Sequence, residues 1–224
     1  MTSIKLSKRL RIIAECIDRC DVMYDVGTDH AYLPVWLVRA GFVSFALACD
    51  IKAEPLSQGE LTIKKYHAED MVKTRLCDGL NAVSPDEVDD IIIAGMGGET
   101  IVHILSEAHW LKDKSKNLTL QPMSKHELVI EYLYKNGFEL TEHKCTVADG
   151  KIYTAFTANY TGVKTEPDEV FTYTGLLKSD DENDVRFLNS TINHLEKKAN
   201  ANPHFGEIAN EIKIILEILF TFQK

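Results

Sequence analysis

Five short apolar runs, four of them followed by a segment of helical periodicity, limit what this chain can fold into. Residues 22–26, 44–51, 74–77, 90–94 and 118–121 read as strands. Between and after them, residues 33–40, 54–69, 99–108 and 124–135 read as helices. The last of these carries a capping-box signature, Ser124 with Glu127, while Pro122 stops the strand before it. Such alternation predicts an α/β fold with a mainly parallel sheet covered by helices on both faces. The run at 44–51 is almost continuously apolar, as expected of a strand buried on two sides. Residues 138–147 and 151–160, joined by Ala148-Asp149-Gly150, then read as an antiparallel hairpin closing one edge.

The pattern changes after residue 160. A polar linker over 161–181 leads to Val185, Leu188, Ile192, Leu195 and Ala199, then to Phe205, Ile208, Ile212, Ile215 and Leu219. Both sets follow three-four spacing and are separated by Pro203, which predicts an antiparallel, coiled-coil-like helical hairpin. Two units follow, 1–160 and 161–224. A further amphipathic helix is expected over 4–17, with its basic residues mostly off the apolar stripe.

Ligands of parallel α/β sheets sit at the carboxyl ends of the strands. Asp25, Asp50, Asp78 and Gly95 all fall at such ends. The first belongs to Asp25-Val26-Gly27-Thr28-Asp29-His30, where Gly27 allows close backbone approach and Asp25 accepts hydrogen bonds. A dinucleotide site would need G-x-G-x-x-G, and the later glycines are missing. Asp29 and His30 stand instead where phosphates would lie. A carboxylate there repels phosphate and suits a cationic ligand. The competing expectation for Asp29 is a plain helix cap.

Acidic residues outnumber basic ones 34 to 25, for a net charge of -9, which argues weakly against nucleic acid. The N-terminal stretch runs the other way, with Lys5, Lys8, Arg9, Arg11 and Arg19 against Glu15 and Asp18. The five cysteines form no C-x-x-C and no zinc-ligand spacing, so reduced thiols, a cytoplasmic setting and no metal are expected. No apolar run approaches the length of a membrane span, and no signal-peptide pattern is visible.

The motifs together resemble the bacterial tRNA (adenine 22, N1)-methyltransferase family, within the Rossmann-like S-adenosylmethionine-dependent methyltransferases. The resemblance rests on Lys5-Leu6-Ser7-Lys8-Arg9-Leu10, on Asp25 through Pro34, and on Asp78-Gly79-Leu80. It continues through Ile93-Ala94-Gly95-Met96-Gly97-Gly98, Leu120-Gln121-Pro122 and Asp149-Gly150-Lys151. The chain departs from the family pattern at Met123 and Thr154.

That resemblance implies S-adenosylmethionine as cofactor, S-adenosylhomocysteine as product and tRNA as partner, with a monomer favoured. It implies that Asp50, with Ile51 beside it, receives the cofactor ribose, and that Asp78 and Gly79 hold its adenine. Asp25 and Gly27 would line the methionine end, with Gly95 and Met96 opposite. Asp29 would stabilise charge developing on the base, helped by His30. Gln121 and Pro122 would meet the base, and Lys5, Lys8 and Arg9 would contact tRNA phosphates. Gly95 to Gly98 replace the Asn/Asp-Pro-Pro-aromatic motif, which argues against methylation of an exocyclic amine. Another methyl acceptor, or a protein that binds without turnover, are the alternatives.

Overall fold

The structure, a computed structural model, describes residues 4–178 and 180–221, with side chains through 217. The expected place of the Leu219 side chain in the C-terminal stripe lies outside the described residues.

Strands β1 (Cys20–Val26), β2 (Val43–Asp50), β3 (Val72–Leu76), β4 (Asp90–Gly97), β5 (Asn117–Ser124), β6 (Phe138–Ala148) and β7 (Lys151–Tyr160) form one sheet, in the order β3-β2-β1-β4-β5-β7-β6. The first five run parallel, and β7 is antiparallel to both β5 and β6. The edge hairpin turns at Asp149 and Gly150, whose φ values of 50° and 72° fit a type I′ turn. The mainly parallel sheet with an antiparallel hairpin at one edge is the architecture expected.

Alternation along the strands loads both faces. Tyr24, Val26, Ile91, Ile93, Leu118 and Leu120 pack with α4 (Gly98–Glu107) and α5 (His126–Lys135). Met23, Ala46, Ala48 and Ile92 pack with α1 (Lys8–Ala14), α2 (Tyr32–Arg39) and α3 (Ala53–Lys65). At about 25 cal/mol per Å² of apolar surface removed from water, these two layers dominate the favourable side of folding.

Three local expectations are corrected. Ser124 does not cap α5: it ends β5, pairing with Gly97, and the helix starts after Lys125 without a side-chain cap. Continuing the sheet ladder satisfies more backbone groups than the serine cap would. Pro122 likewise lies inside β5, opposite Met96 where the register of β4 shifts, a place where a missing N–H is tolerated. The N-terminal helix is shorter than its apolar stripe, because Ser7 caps it by accepting from Leu10 N–H at 3.3 Å.

The linker holds a helix as well, α6 (Glu169–Thr174), capped by Asp168, which accepts from Val170 and Phe171 N–H. Val170 and Tyr173 join the apolar cluster of α7 (Glu182–Ala199) and α8 (His204–Thr221), the antiparallel pair that the spacing predicted.

His143 on β6 fastens this region to the sheet. Its Nδ1 accepts from Leu176 N–H at 3.3 Å, and its Nε2 lies 2.6 Å from Thr154 Oγ1. Burial, with a smaller push from His126, lowers its pKa from 6.5 to about 3, so the ring is neutral in the fold. The unfolded chain therefore binds a proton that the fold refuses. This contribution to stability is complete above about pH 6.5 and declines as pH falls toward 3. Urea melts should show a loss of about 2 kcal/mol from this group between pH 6.5 and about pH 5. A His143→Gln variant should lose that slope.

Candidate active site

The site lies across the carboxyl ends of β3, β2, β1 and β4, neighbours in the sheet in that order. Asp25 is two residues from the β1 turn, Asp50 ends β2, Asp78 follows β3, and Gly95 lies in the irregular end of β4. Parallel register brings these ends together, with Asp50 beside Leu76 and Asp25 beside Ile92. The chain segments that carry the sequence-predicted acids therefore converge.

Asp25 is only 4% exposed and accepts from Thr28 Oγ1 at 2.6 Å. Burial raises its pKa from 3.8 to about 6, against the opposing pull of the Thr28 hydroxyl and of Arg9, with Asp50 adding to the rise. A buried carboxylate in that condition gains from a cationic ligand.

The loop after β1 is unlike a phosphate cradle. Gly27 and Thr28 N–H both donate to the Cys49 carbonyl, at 2.9 and 2.8 Å. These two amides of the turn are therefore committed to the neighbouring strand. Positive φ occurs at Gly27, Asp29 and Ala31, 73°, 53° and 54°. Left-handed conformations at non-glycine residues cost roughly 1–2 kcal/mol each, and such strain gathers at functional sites. A side chain at Gly27 would also collide with Met96, which crosses from β4 onto this turn.

Asp29 is not the cap of α2. That position is Ala31, with no side-chain bond to the helix, so the capping expectation fails. The Asp29 side chain is instead 72% exposed, 3.6 Å from His30 Nε2. The His30 ring lies 5.7 Å from that of Tyr32, which is itself exposed. Sequence reading gave Tyr32 no role, although it stands within the same motif.

Gln121 is fully buried. Its Oε1 accepts from Gly95 N–H at 3.2 Å and from Arg9 Nη1 at 3.1 Å, and its Nε2 donates to the Pro122 carbonyl at 3.0 Å. Expected at the edge of a base, it spends these bonds bracing the β4 bulge. Arg9, expected on tRNA phosphates, points inward: it reaches Gln121 and lies against Gly95. Lys5 and Lys8 remain exposed. Asp50 accepts from Lys52 N–H at 2.9 Å, while Ile51 and Asp78 are exposed beside it. Gly79 turns with φ 56° against Ile104.

The profile of the family described as "Methyltransferase domain" matches residues 6–156, well over half the chain. The chain belongs to that methyltransferase family. In sequence it is 38% identical over 161 residues to the tRNA (adenine(22)-N(1))-methyltransferase of Bacillus subtilis. That match covers 70% of this chain and 66% of the relative, just under two thirds of its length. The crystal structure of the B. subtilis m1A22 tRNA methyltransferase TrmK superimposes with a TM-score of 0.78 at 28% identity, covering 97% of this chain and 98% of that one. A Streptococcus pneumoniae methyltransferase-like chain solved in complex with S-adenosyl-L-methionine gives 0.85 at 26% identity, covering 95% and 100%. The family resemblance carried by the motifs is thus matched in both sequence and structure.

Proposed function

We propose that this methyltransferase transfers a methyl group from S-adenosylmethionine to N1 of adenine 22 in tRNA, leaving S-adenosylhomocysteine. The observation that carries the reading is the row of Asp78, Asp50, Asp25 and Gly95 on adjacent strand ends, with the Asp29 carboxylate exposed on the neighbouring loop. The named similarity to the B. subtilis enzyme supports the choice of acceptor.

The residues fit the cofactor. Asp25 is a buried anion that a cationic ligand relieves, and the Gly27 and Thr28 amides of the β1 loop are already bonded to the Cys49 carbonyl. S-adenosylmethionine supplies an electrophilic methyl group on a sulfonium. Asp50 accepts from ribose hydroxyls with Ile51 beside it, and Asp78 with Gly79 receives the adenine. Asp25 and Gly27 line the amino-acid end, facing Gly95 and Met96. Arg9, held at Gln121 and Gly95, stands ready for the carboxylate of that end.

Neutral adenine N1 bears a lone pair, so no base need remove a proton before attack. Asp29 stabilises the positive charge that develops on the ring, and His30 orients it. Alignment of nucleophile and methyl supplies much of the rate, and a stacked target base must first leave its stack. No metal takes part. We assign 1–160 to methyl transfer and 161–224 to the helical hairpin, in a cytoplasmic monomer.

Labelled S-adenosylmethionine with unmodified tRNA should give 1-methyladenosine on digestion; label in another nucleoside discards the acceptor. Lys5 and Lys8 keep their expected role on tRNA phosphates. Charge reversal at both should raise the KM for tRNA about tenfold and flatten its salt dependence by about two phosphate contacts. Arg9→Ala, by contrast, should weaken cofactor binding in a calorimetric titration.

A further inference from the structure

A cavity of about 440 Å³ opens beside the transfer site on the β7 side of β5. Its wall begins at Pro122 and Met123, directly after the Gln121 brace, and continues through Lys151 and Tyr153 at the hairpin turn. Phe187 and Ser190 of α7 complete it. Because β6 runs in the same direction as β5 through their shared neighbour β7, this turn lies at the same end of the strands as the site. The volume falls within the range of small-molecule sites.

Its chemistry is mixed in an informative way. Tyr153 and Phe187 offer aromatic surface, and the Phe187 ring is steadied edge-on against His126 at 5.0 Å. His126 is in turn fixed by its Nε2, which donates to the Tyr173 carbonyl at 3.0 Å. Around these rings lie the Ser190 hydroxyl and the exposed Lys151 ammonium. Aromatic faces that accept any base, with one cation for a phosphate, are the means by which proteins hold unstacked nucleotides. Residues placed at the cofactor and at Asp29 are not among its walls, and Pro122, expected at the methylated base, stands at its rim, so the pocket adjoins the position of that base.

Resting on the methyltransferase reading above, we propose that this pocket receives a nucleotide adjoining the methylated adenosine in the tRNA chain. The base lies against Tyr153 and Phe187, and its phosphate meets Lys151. Helix α7 thereby supplies one wall of the substrate site, which gives the C-terminal hairpin a part in recognition. A target base drawn out of its stack leaves its neighbour unstacked as well, and the pocket offsets that loss.

Ser190→Trp fills the pocket from an exposed helix position, and Lys151→Ala removes the cation. In steady-state methylation of an unmodified tRNA transcript, Ser190→Trp should raise the KM for tRNA at least tenfold. Lys151→Ala should raise it several-fold and lower the salt slope by about one. For both, kcat at saturating tRNA and the Kd for S-adenosylhomocysteine should stay within twofold of the wild type. A transcript bearing 4-thiouridine beside the target should crosslink to a peptide containing Tyr153 or Phe187, and less so in Ser190→Trp. Two variants with unchanged KM, in an enzyme that still forms 1-methyladenosine, would overturn the pocket and leave the function standing. Equal loss of cofactor binding would overturn it too, by showing a packing role. A wild-type protein that forms no 1-methyladenosine would remove the reading beneath it.

Discussion

Replacing Asp29 by alanine is expected to lower kcat for tRNA methylation about 100-fold while the cofactor Kd changes less than about twofold. The magnitude is that of removing one electrostatic partner from a developing charge. The separation of the two readouts follows from position. Asp29 stands on the loop after β1, its side chain exposed, whereas the carboxylate at the buried end of that strand is Asp25. A role in folding would predict loss of both, yet Asp29 caps no helix. Its φ of 53° is one that asparagine also tolerates, so Asp29→Asn should keep the loop and isolate the charge. Single-turnover methyl transfer with cofactor saturated is the measurement. An unchanged rate in Asp29→Ala would assign the charge stabilisation elsewhere.

The strand ends were legible because a parallel sheet has one polarity. Once 22–26, 44–51 and 90–94 read as strands of one parallel sheet, Asp25, Asp50 and Gly95 had to share its carboxyl end. Directions of individual side chains were not legible. Arg9 sits among basic neighbours in a short helix, and only the packing of α1 against the sheet separates it from Lys8 and sends it to Gln121. Gln121 looked free to read a base, because a sequence cannot show that an irregular β4 would need its amide for Gly95. Ser124 and Glu127 satisfied the local rule for a helix start, and the longer ladder of β5 with β4 prevailed. Helix α6 was missed for a different reason. Its six residues are too short for a period, and its stability comes from Val170 and Tyr173 meeting α7 and α8.

Asp25→Asn should make the protein more stable and leave it unable to hold its cofactor well. Burial lifts the Asp25 pKa to about 6, above the 3.8 of an unconstrained aspartate. The fold therefore prefers the protonated group. Stability from this group is complete below about pH 4 and is lost as pH rises through 6. At pH 7 the ligand-free protein carries the full cost of a buried anion, about 2–3 kcal/mol. Asparagine keeps an oxygen for the Thr28 hydroxyl and carries no charge, so the melting temperature of the ligand-free protein should rise by roughly 5 °C or more. The same substitution removes the anion that meets the cationic end of the cofactor, and the Kd should rise at least tenfold. In the wild type, affinity should fall up to tenfold for each pH unit below about 6, since binding then requires Asp25 to lose a proton. His143 acts in the opposite sense, losing stability on acidification. With the aspartate replaced, acid melts should consequently steepen. An Asp25→Asn protein that is less stable at pH 7 would mean that the carboxylate supports the β1 turn instead of being strained by it.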